Sequence, residues 1–364
     1  MDTAKTFKPT TILVLRRLQR HPEVERIIGM FPQAQVQVVD RQRDWNALRH
    51  SSKHAVVAGK RVLMLGEATS FLRHFDGCLG SGVRCASYIK LVPISNGCPY
   101  FCTYCYLAYV YRDYLPFIKL NLNYGRMCDE IFDLAVYSPD AVSFNMGEML
   151  DSLALDHVSL LTSRLIPLFS RLSRGYLMLL TKSSNIDGLL SLRPNGQVVV
   201  SWSLNTQPMI DQFEAGTADL EERIHAAKQC QEQGYRIRLR IDPGILYLDW
   251  QRDYAELIRK SLAVLEPENI TLGMLRLLPG HFRLARQVYG RRGEQLQNVG
   301  LTERATDGKY RYPPDRRVQF YRSLIDAIRS INKGVSISLC RETPYVWDHV
   351  KDHADPAKCN CLIW

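Results

Sequence analysis

A chain of 364 residues, 46% of them hydrophobic and 23% charged, can bury a large core and suits one big domain with appendages, not a string of small ones. Ten cysteines without an export-type start argue for a reducing cytoplasm and metal ligation over a disulfide framework. No run reaches the ~18 apolar residues that a membrane helix needs, and a net charge of +10 favours an anionic partner without by itself selecting nucleic acid.

Residues 1–87 mix a basic, helix-like start carrying Arg16, Arg17 and Arg20 with strand-like runs at 34–39 and 61–65, and read as a small N-terminal α/β cap. From 88 to 340, apolar strand-like runs at 88–94, 141–145, 177–181, 198–204, 236–241, 270–278 and 335–339 alternate with helical stretches such as 220–233 and 318–331. The alternation predicts repeated β-α units around a parallel sheet, an α/β fold best described as a partial (β/α)6 barrel. In such barrels chemistry sits at the carboxyl ends of the strands. Residues 341–364 form a short tail containing Cys359 and Cys361.

Just after the first barrel strand lies Cys98-Pro99-Tyr100-Phe101-Cys102-Thr103-Tyr104-Cys105. Three thiols at Cys-x-x-x-Cys-x-x-Cys spacing let one short loop wrap three corners of a four-iron cluster and leave the fourth iron open to a cofactor. A structural zinc loop would want a fourth Cys or His close by, and incidental buried thiols are the other alternative.

The spacing resembles that of the radical S-adenosylmethionine superfamily. That resemblance implies a 4Fe-4S cluster on Cys98, Cys102 and Cys105, S-adenosyl-L-methionine as the second cofactor, and an electron donor such as flavodoxin or ferredoxin. A finer resemblance, to the spore photoproduct lyase family, rests on the loop with Tyr104 and Tyr106, on Asp151 and Asp156-His157, and on Thr181-Lys182. It continues through Ser201-Trp202-Ser203-Leu204-Asn205 and the run from Phe213-Glu214-Ala215-Gly216-Thr217 to Arg223-Ile224. It covers roughly residues 88–330 and implies repair of a thymine photoproduct in DNA, or action on a related nucleic-acid base. The same radical initiation on a small molecule or peptide is the alternative.

Several residues acquire expected roles from these resemblances. Tyr104 would lie against the cofactor's adenine, and Tyr106 is grouped with it as a catalytic candidate. Lys182 at a strand end would meet the cofactor carboxylate, unless it is a solvated lysine. Ser203 and Asn205, two apart on one strand, face the same way and would hold ribose hydroxyls, with strand-end packing the alternative. Asp242 before Pro243 would face the site or merely open a turn. Gly147-Glu148 resembles the segment that binds the methionine ammonium in many of these enzymes. Glu148 also stands where the lyase resemblance implies a cysteine that returns a hydrogen atom, a task a carboxylate cannot perform. A replacement donor is sought in Cys340 at the end of the last strand. If the tail folds over the barrel mouth, Cys340, Cys359 and Cys361 would quench a radical or hold a second metal with His349 or His353. Arg283, Arg286, Arg291, Arg292, Lys309, Tyr310, Arg311 and Tyr312 interleave cations with aromatics, as a nucleic-acid surface would.

Overall fold

The computed structural model describes residues 7–41, 55–112 and 115–364. Its strands, in chain order, are β1 (Thr11–Leu15), β2 (Gln35–Val39), β3 (Val62–Gly66), β4 (Leu72–Phe75), β5 (Tyr88–Leu91) and β6 (Ile94–Ser95). There follow β7 (Phe101–Cys102), β8 (Ile118–Asn121), β9 (Val142–Asn145), β10 (Gly175–Thr181), β11 (Val198–Ser203) and β12 (Glu214–Ala215). The last are β13 (Arg236–Gly244), β14 (Asn269–Met274), β15 (Glu303–Arg304), β16 (Tyr310–Arg311) and β17 (Ser336–Leu339).

The main sheet runs β4-β5-β9-β10-β11-β13-β14-β17, with every pair parallel except β4 against β5. Seven parallel strands in sequence order, joined through helices, are the open α/β barrel expected from the alternation. β11 and β14 are buried along their whole length. That is the burial of strands covered on both faces, and it explains runs such as Val198-Val199-Val200. Helix starts follow local chemistry: Asp219 and Glu222 form a reciprocal capping box on the helix Leu220–Glu232.

A second sheet, β2-β1-β3-β8-β6, is built from the N-terminal region and from two strands beyond residue 87. β4 passes the other way, into the barrel sheet, so the two layers interleave in sequence across the expected cap boundary. The basic start is a strand, β1, followed by one 3-10 turn at Arg16–Leu18, and the helix comes later at Pro22–Met30. Lys60, next to the helix Ala55–Gly59, is buried and its ammonium donates to the Tyr100 carbonyl, so this layer supports the cysteine loop.

The tail runs inside the barrel, below the strand ends. Ser201 Oγ donates to Asn360 Oδ1 (2.8 Å), Asn360 N donates to Thr271 Oγ1 (3.2 Å), and Ile363 N donates to Ser143 Oγ (3.0 Å). Arg238 donates to the Asn360 and Leu362 carbonyls, and its guanidinium lies 3.8 Å from the Trp364 ring centre. Polar side chains on four strands thus find partners in the tail, three of them on its backbone, as buried polar groups require. The tail does not fold over the mouth.

Candidate active site

At the carboxyl ends of the barrel strands lies a cavity of about 370 Å³, and Cys98, Cys102 and Cys105 line it together. The loop is fixed at its middle: β7 pairs antiparallel with β12, Cys102 opposite Glu214, and Thr103 N donates to the Phe213 carbonyl (2.9 Å). Cys105 starts the helix Tyr106–Tyr111, its sulfur accepting from Ala108 N at 3.4 Å. Burial pushes the Cys102 thiol up to about 12 against the opposing pull of Lys182, and it raises Cys98 as well. Thiols so placed are ionised by a metal, not by water. Three sulfurs from one eight-residue loop on a single cavity fit a cluster with one corner left to a cofactor.

One wall is a buried charge triad. Glu214 accepts from Lys182 Nζ (2.6 Å) and Arg223 Nη2 (2.6 Å), and Tyr104 Oη donates to it as well. The Glu214 and Arg223 side chains are fully buried, whereas Lys182 keeps 17% exposure at the cavity. Burial opposes ionisation of Glu214, but Lys182 and Arg223 outweigh it and hold the carboxyl down near 2. Lys182 gives one N–H to Glu214 and one to Tyr104 Oη (2.6 Å), which leaves a third for the cavity. Asp151 anchors the neighbouring strand end by accepting from Thr181 Oγ1 (2.6 Å) and Lys182 N (2.8 Å).

Ser203 and Asn205 part company. Ser203 lines the cavity and donates to the Asp242 carbonyl (3.1 Å). Asn205 is fully buried behind the wall, bonded to the Pro243 carbonyl, Thr206 N and Tyr254 Oη, and is spent on packing the strand end.

Opposite stands a ring of guanidiniums and carboxylates. Glu148 pairs with Arg341 (3.2 Å) and Arg240 (3.6 Å), and Asp242 accepts from Arg240 (2.7 Å) and Arg276 (3.1 Å). Burial would raise both acids, but Arg341 and Arg240 lower Glu148, and Arg276 and Arg240 lower Asp242. Both are carboxylates at neutral pH. Gly147 beside Glu148 is obligatory, because a Cβ there would lie 2.2 Å from the Leu180 Cβ. Cys340 lies outside the cavity, its sulfur accepting from Arg240 (3.0 Å) and Arg276 (3.3 Å), and the Cys98–Cys105 loop contributes every thiol among the described lining residues.

The rim is aromatic and basic. Tyr106 is 47% exposed and stacks at 6.4 Å on His281, while Lys309, on the hairpin of β15 and β16, reaches the cavity. Burial draws His281 down to about 4, so it is neutral. Arg311 and Tyr312 do not join a nucleic-acid surface: both are buried, Arg311 on Asp307 (2.6 Å) and Tyr312 under the Leu246 amide (3.1 Å). Arg283, Arg286, Arg291 and Arg292 are exposed. Sequence reading gave no role to Glu214, Arg223, Arg240, Arg276 or Arg341. The alternation Arg238-x-Arg240-x-Asp242, three charges on one strand face, was the available signal.

The family model described as spore photoproduct lyase matches residues 49–293, about two thirds of the chain. The chain belongs to the spore photoproduct lyase family. A curated spore photoproduct lyase of Clostridium acetobutylicum is 28% identical over 204 residues, 56% of this chain and 58% of that protein. The Bacillus subtilis spore photoproduct lyase is 28% identical over 180 residues, 49% and 52% of the two chains. The chain therefore spans little more than half the length of these curated members. A solved spore photoproduct lyase complexed with dinucleoside spore photoproduct superposes with a TM-score of 0.78 at 20% identity, over 92% of this chain and 100% of that one. A mutant of a spore photoproduct lyase with bound AdoMet and dinucleoside spore photoproduct gives 0.75 at 21% identity, over 92% and 99%. The family fold thus extends well past the matched segment, into the tail-filled barrel.

Proposed function

We propose that the chain is a radical S-adenosylmethionine enzyme that acts on a thymine photoproduct or a related base lesion in DNA. The observation that carries this reading is one cavity bounded by the three-thiol loop, the Lys182–Glu214–Tyr104 wall and a strongly cationic lining. Lys90, Lys182, Arg240, Arg276, Lys309 and Arg341 line it against three carboxylates, Glu148, Asp151 and Asp242. Cys98, Cys102 and Cys105 would hold a 4Fe-4S cluster and Lys182, Gly147 and Ser203 would face S-adenosyl-L-methionine, the pair supplying when bound a radical that removes hydrogen from the substrate.

The remaining roles follow from the geometry. Tyr104, tied by its hydroxyl to Glu214 and Lys182, presents a rigid ring at the cavity. Lys182 offers its free N–H to a carboxylate in a site where few waters compete. Glu148 is neutralised by two arginines, so it orders the cationic wall and has little charge to spare for an ammonium group. The excess of cations suits a phosphodiester, and exposed Arg283 and Arg286 on the adjoining helix extend it toward flanking phosphates. A reducing, cytoplasmic setting fits ten free thiols among the described residues and no helix long and apolar enough to cross a membrane. A small electron donor of the flavodoxin or ferredoxin kind is required to reduce the cluster.

One observation favours the second reading, the same initiation on a substrate other than nucleic acid. No thiol beyond the cluster loop faces the cavity among the described residues, so no sulfur stands ready to return a hydrogen atom to a repaired base. Reduced, anaerobically reconstituted protein incubated with S-adenosyl-L-methionine and dinucleoside spore photoproduct separates them. Release of 5′-deoxyadenosine with formation of paired thymines supports lesion repair; release that the photoproduct never stimulates favours the other substrate class.

A further inference from the structure

Beneath the Glu148–Arg341 pair lies a second cavity, of about 150 Å³, which shares those two residues with the first. Four cysteines line it: Cys85 from the loop before β5, Cys340 at the end of β17, and Cys359 and Cys361 from the tail. Three separate chain segments bring these sulfurs together. Cys359 and Cys361 are presented side by side by a turn in which Leu362 N donates to the Cys359 carbonyl (3.1 Å). Neither His349 nor His353 reaches the place; His349 is exposed, with its ring bonded to the Tyr345 carbonyl.

The remaining lining asks for an anionic acceptor. Tyr88 and Trp347 are 5% and 2% exposed, and both line this cavity. Tyr88 Oη and Trp347 Nε1 are buried there without any hydrogen-bond partner. A buried donor left without an acceptor is costly, and two on one void among four thiols imply a missing acceptor. Arg84 and Arg341 line the same space; Glu148, which also lines it, already pairs with Arg341, so among the described lining residues Arg84 is the cation left to balance thiolate charge. A lone tetrahedral ion draws its four sulfurs to about 2.3 Å and leaves no void. The room points to a polynuclear centre, whose sulfides accept hydrogen bonds.

We propose that Cys85, Cys340, Cys359 and Cys361 hold a second iron–sulfur cluster, with Tyr88 and Trp347 donating to it. Among the described residues no three Cys, His, Asp or Glu side chains converge at metal-bonding geometry, and this is as true of the Cys98–Cys105 loop as of the second group. In both places metal binding would require the sulfurs to draw together. The assignment concerns this chain's thiols alone and stands whatever the first cavity acts on.

The test is metal content of the full chain after anaerobic reconstitution with iron and sulfide. A second cluster brings the iron to about eight per chain if it is a four-iron cubane and to about six if it is a two-iron centre, falling to about four in Cys359→Ser/Cys361→Ser and to about four or two in Cys98→Ala/Cys102→Ala/Cys105→Ala. The triple variant should also keep an iron–sulfur absorption band and, once reduced, a paramagnetic resonance signal. About four irons in the unaltered chain with none in the triple variant overturns the proposal, as does zinc as the only metal that the triple variant retains. Should the tail variant fail to fold, the triple variant decides alone, because its tail and second cavity are untouched.

Discussion

Replacing Glu214 with glutamine keeps the shape of the buried triad and removes its only negative charge. Arg223, fully buried, would then face a neutral amide, with Ser203 O, Ala218 O and Thr217 Oγ1 as its other acceptors and no charge to meet its own. Two routes give the cost. Removing one partner of a buried ion pair costs about 3–5 kcal/mol because the other charge is left uncompensated. Independently, a carboxyl that ionises near 2 in the folded chain against an ordinary 4.5 contributes about 3 kcal/mol at neutral pH, at 1.36 kcal/mol per pKa unit. The sign follows from the lowered pKa: the stabilisation is complete above about 4.5 and is lost as pH falls toward 2. By pH 3 less than half remains. Urea unfolding of the metal-free chain and of Glu214→Gln, at pH 7 and pH 3, measures the difference. A gap below about 1 kcal/mol at pH 7, or one equally large at both pH values, would refute the reading of Glu214 as an ionised, charge-locked residue.

Three further outcomes follow from the same geometry. Cys102→Ala should remove the loop's cluster and 5′-deoxyadenosine formation together, as read by iron content and product chromatography; retained cleavage would show that Cys102 is no ligand. Glu148→Gln should leave iron content unchanged, weaken S-adenosyl-L-methionine binding less than about threefold and, by releasing Arg240 and Arg341, tighten inhibition by inorganic phosphate. A cofactor affinity reduced tenfold or more in titration calorimetry would instead make Glu148 a direct cofactor ligand. Arg283→Ala/Arg286→Ala should weaken binding to a lesion-bearing duplex and lower the slope of log affinity against log salt by about 2; an unchanged slope means that this helix touches no phosphate.

The legible part of the molecule is the part whose chemistry is contiguous. The cysteine loop carries its ligands within eight residues, and strands such as β11 and β14 declare themselves as largely apolar runs because they are covered on both faces. The capping box at Asp219 and Glu222 is likewise a four-residue pattern. What sequence reading loses is set by distance along the chain. Glu148 and Arg341 are 193 positions apart, and Cys340 lies 100 from the guanidinium it faces. No local pattern announces such pairs, so the arginines that face Glu148 are not legible from its neighbour Gly147. The exchange of strands between the layers escapes for a related reason: β6 and β8 are two and four residues long, too short for period-2 alternation to say which sheet they join.

The same distances separate Glu148 from the contacts that hold the cysteine loop. The cysteine loop is held by β12, by the Asp151 amide donating to the Gly97 carbonyl (3.2 Å) at its start, and by Lys60, contacts that do not involve residue 148. The side chain at 148 is free to change without disturbing that scaffold, provided its new charge is met. Arg240 and Arg341 meet it, and Arg240 in turn is shared with Asp242 and Cys340, while Arg341 stands between the two cavities. A carboxylate at 148 is therefore part of one charge network with the arginines and the thiol group beyond them. Replacing Glu148 by cysteine alone would strand Arg341 without its acid, so placing a thiol donor here requires changing both residues together.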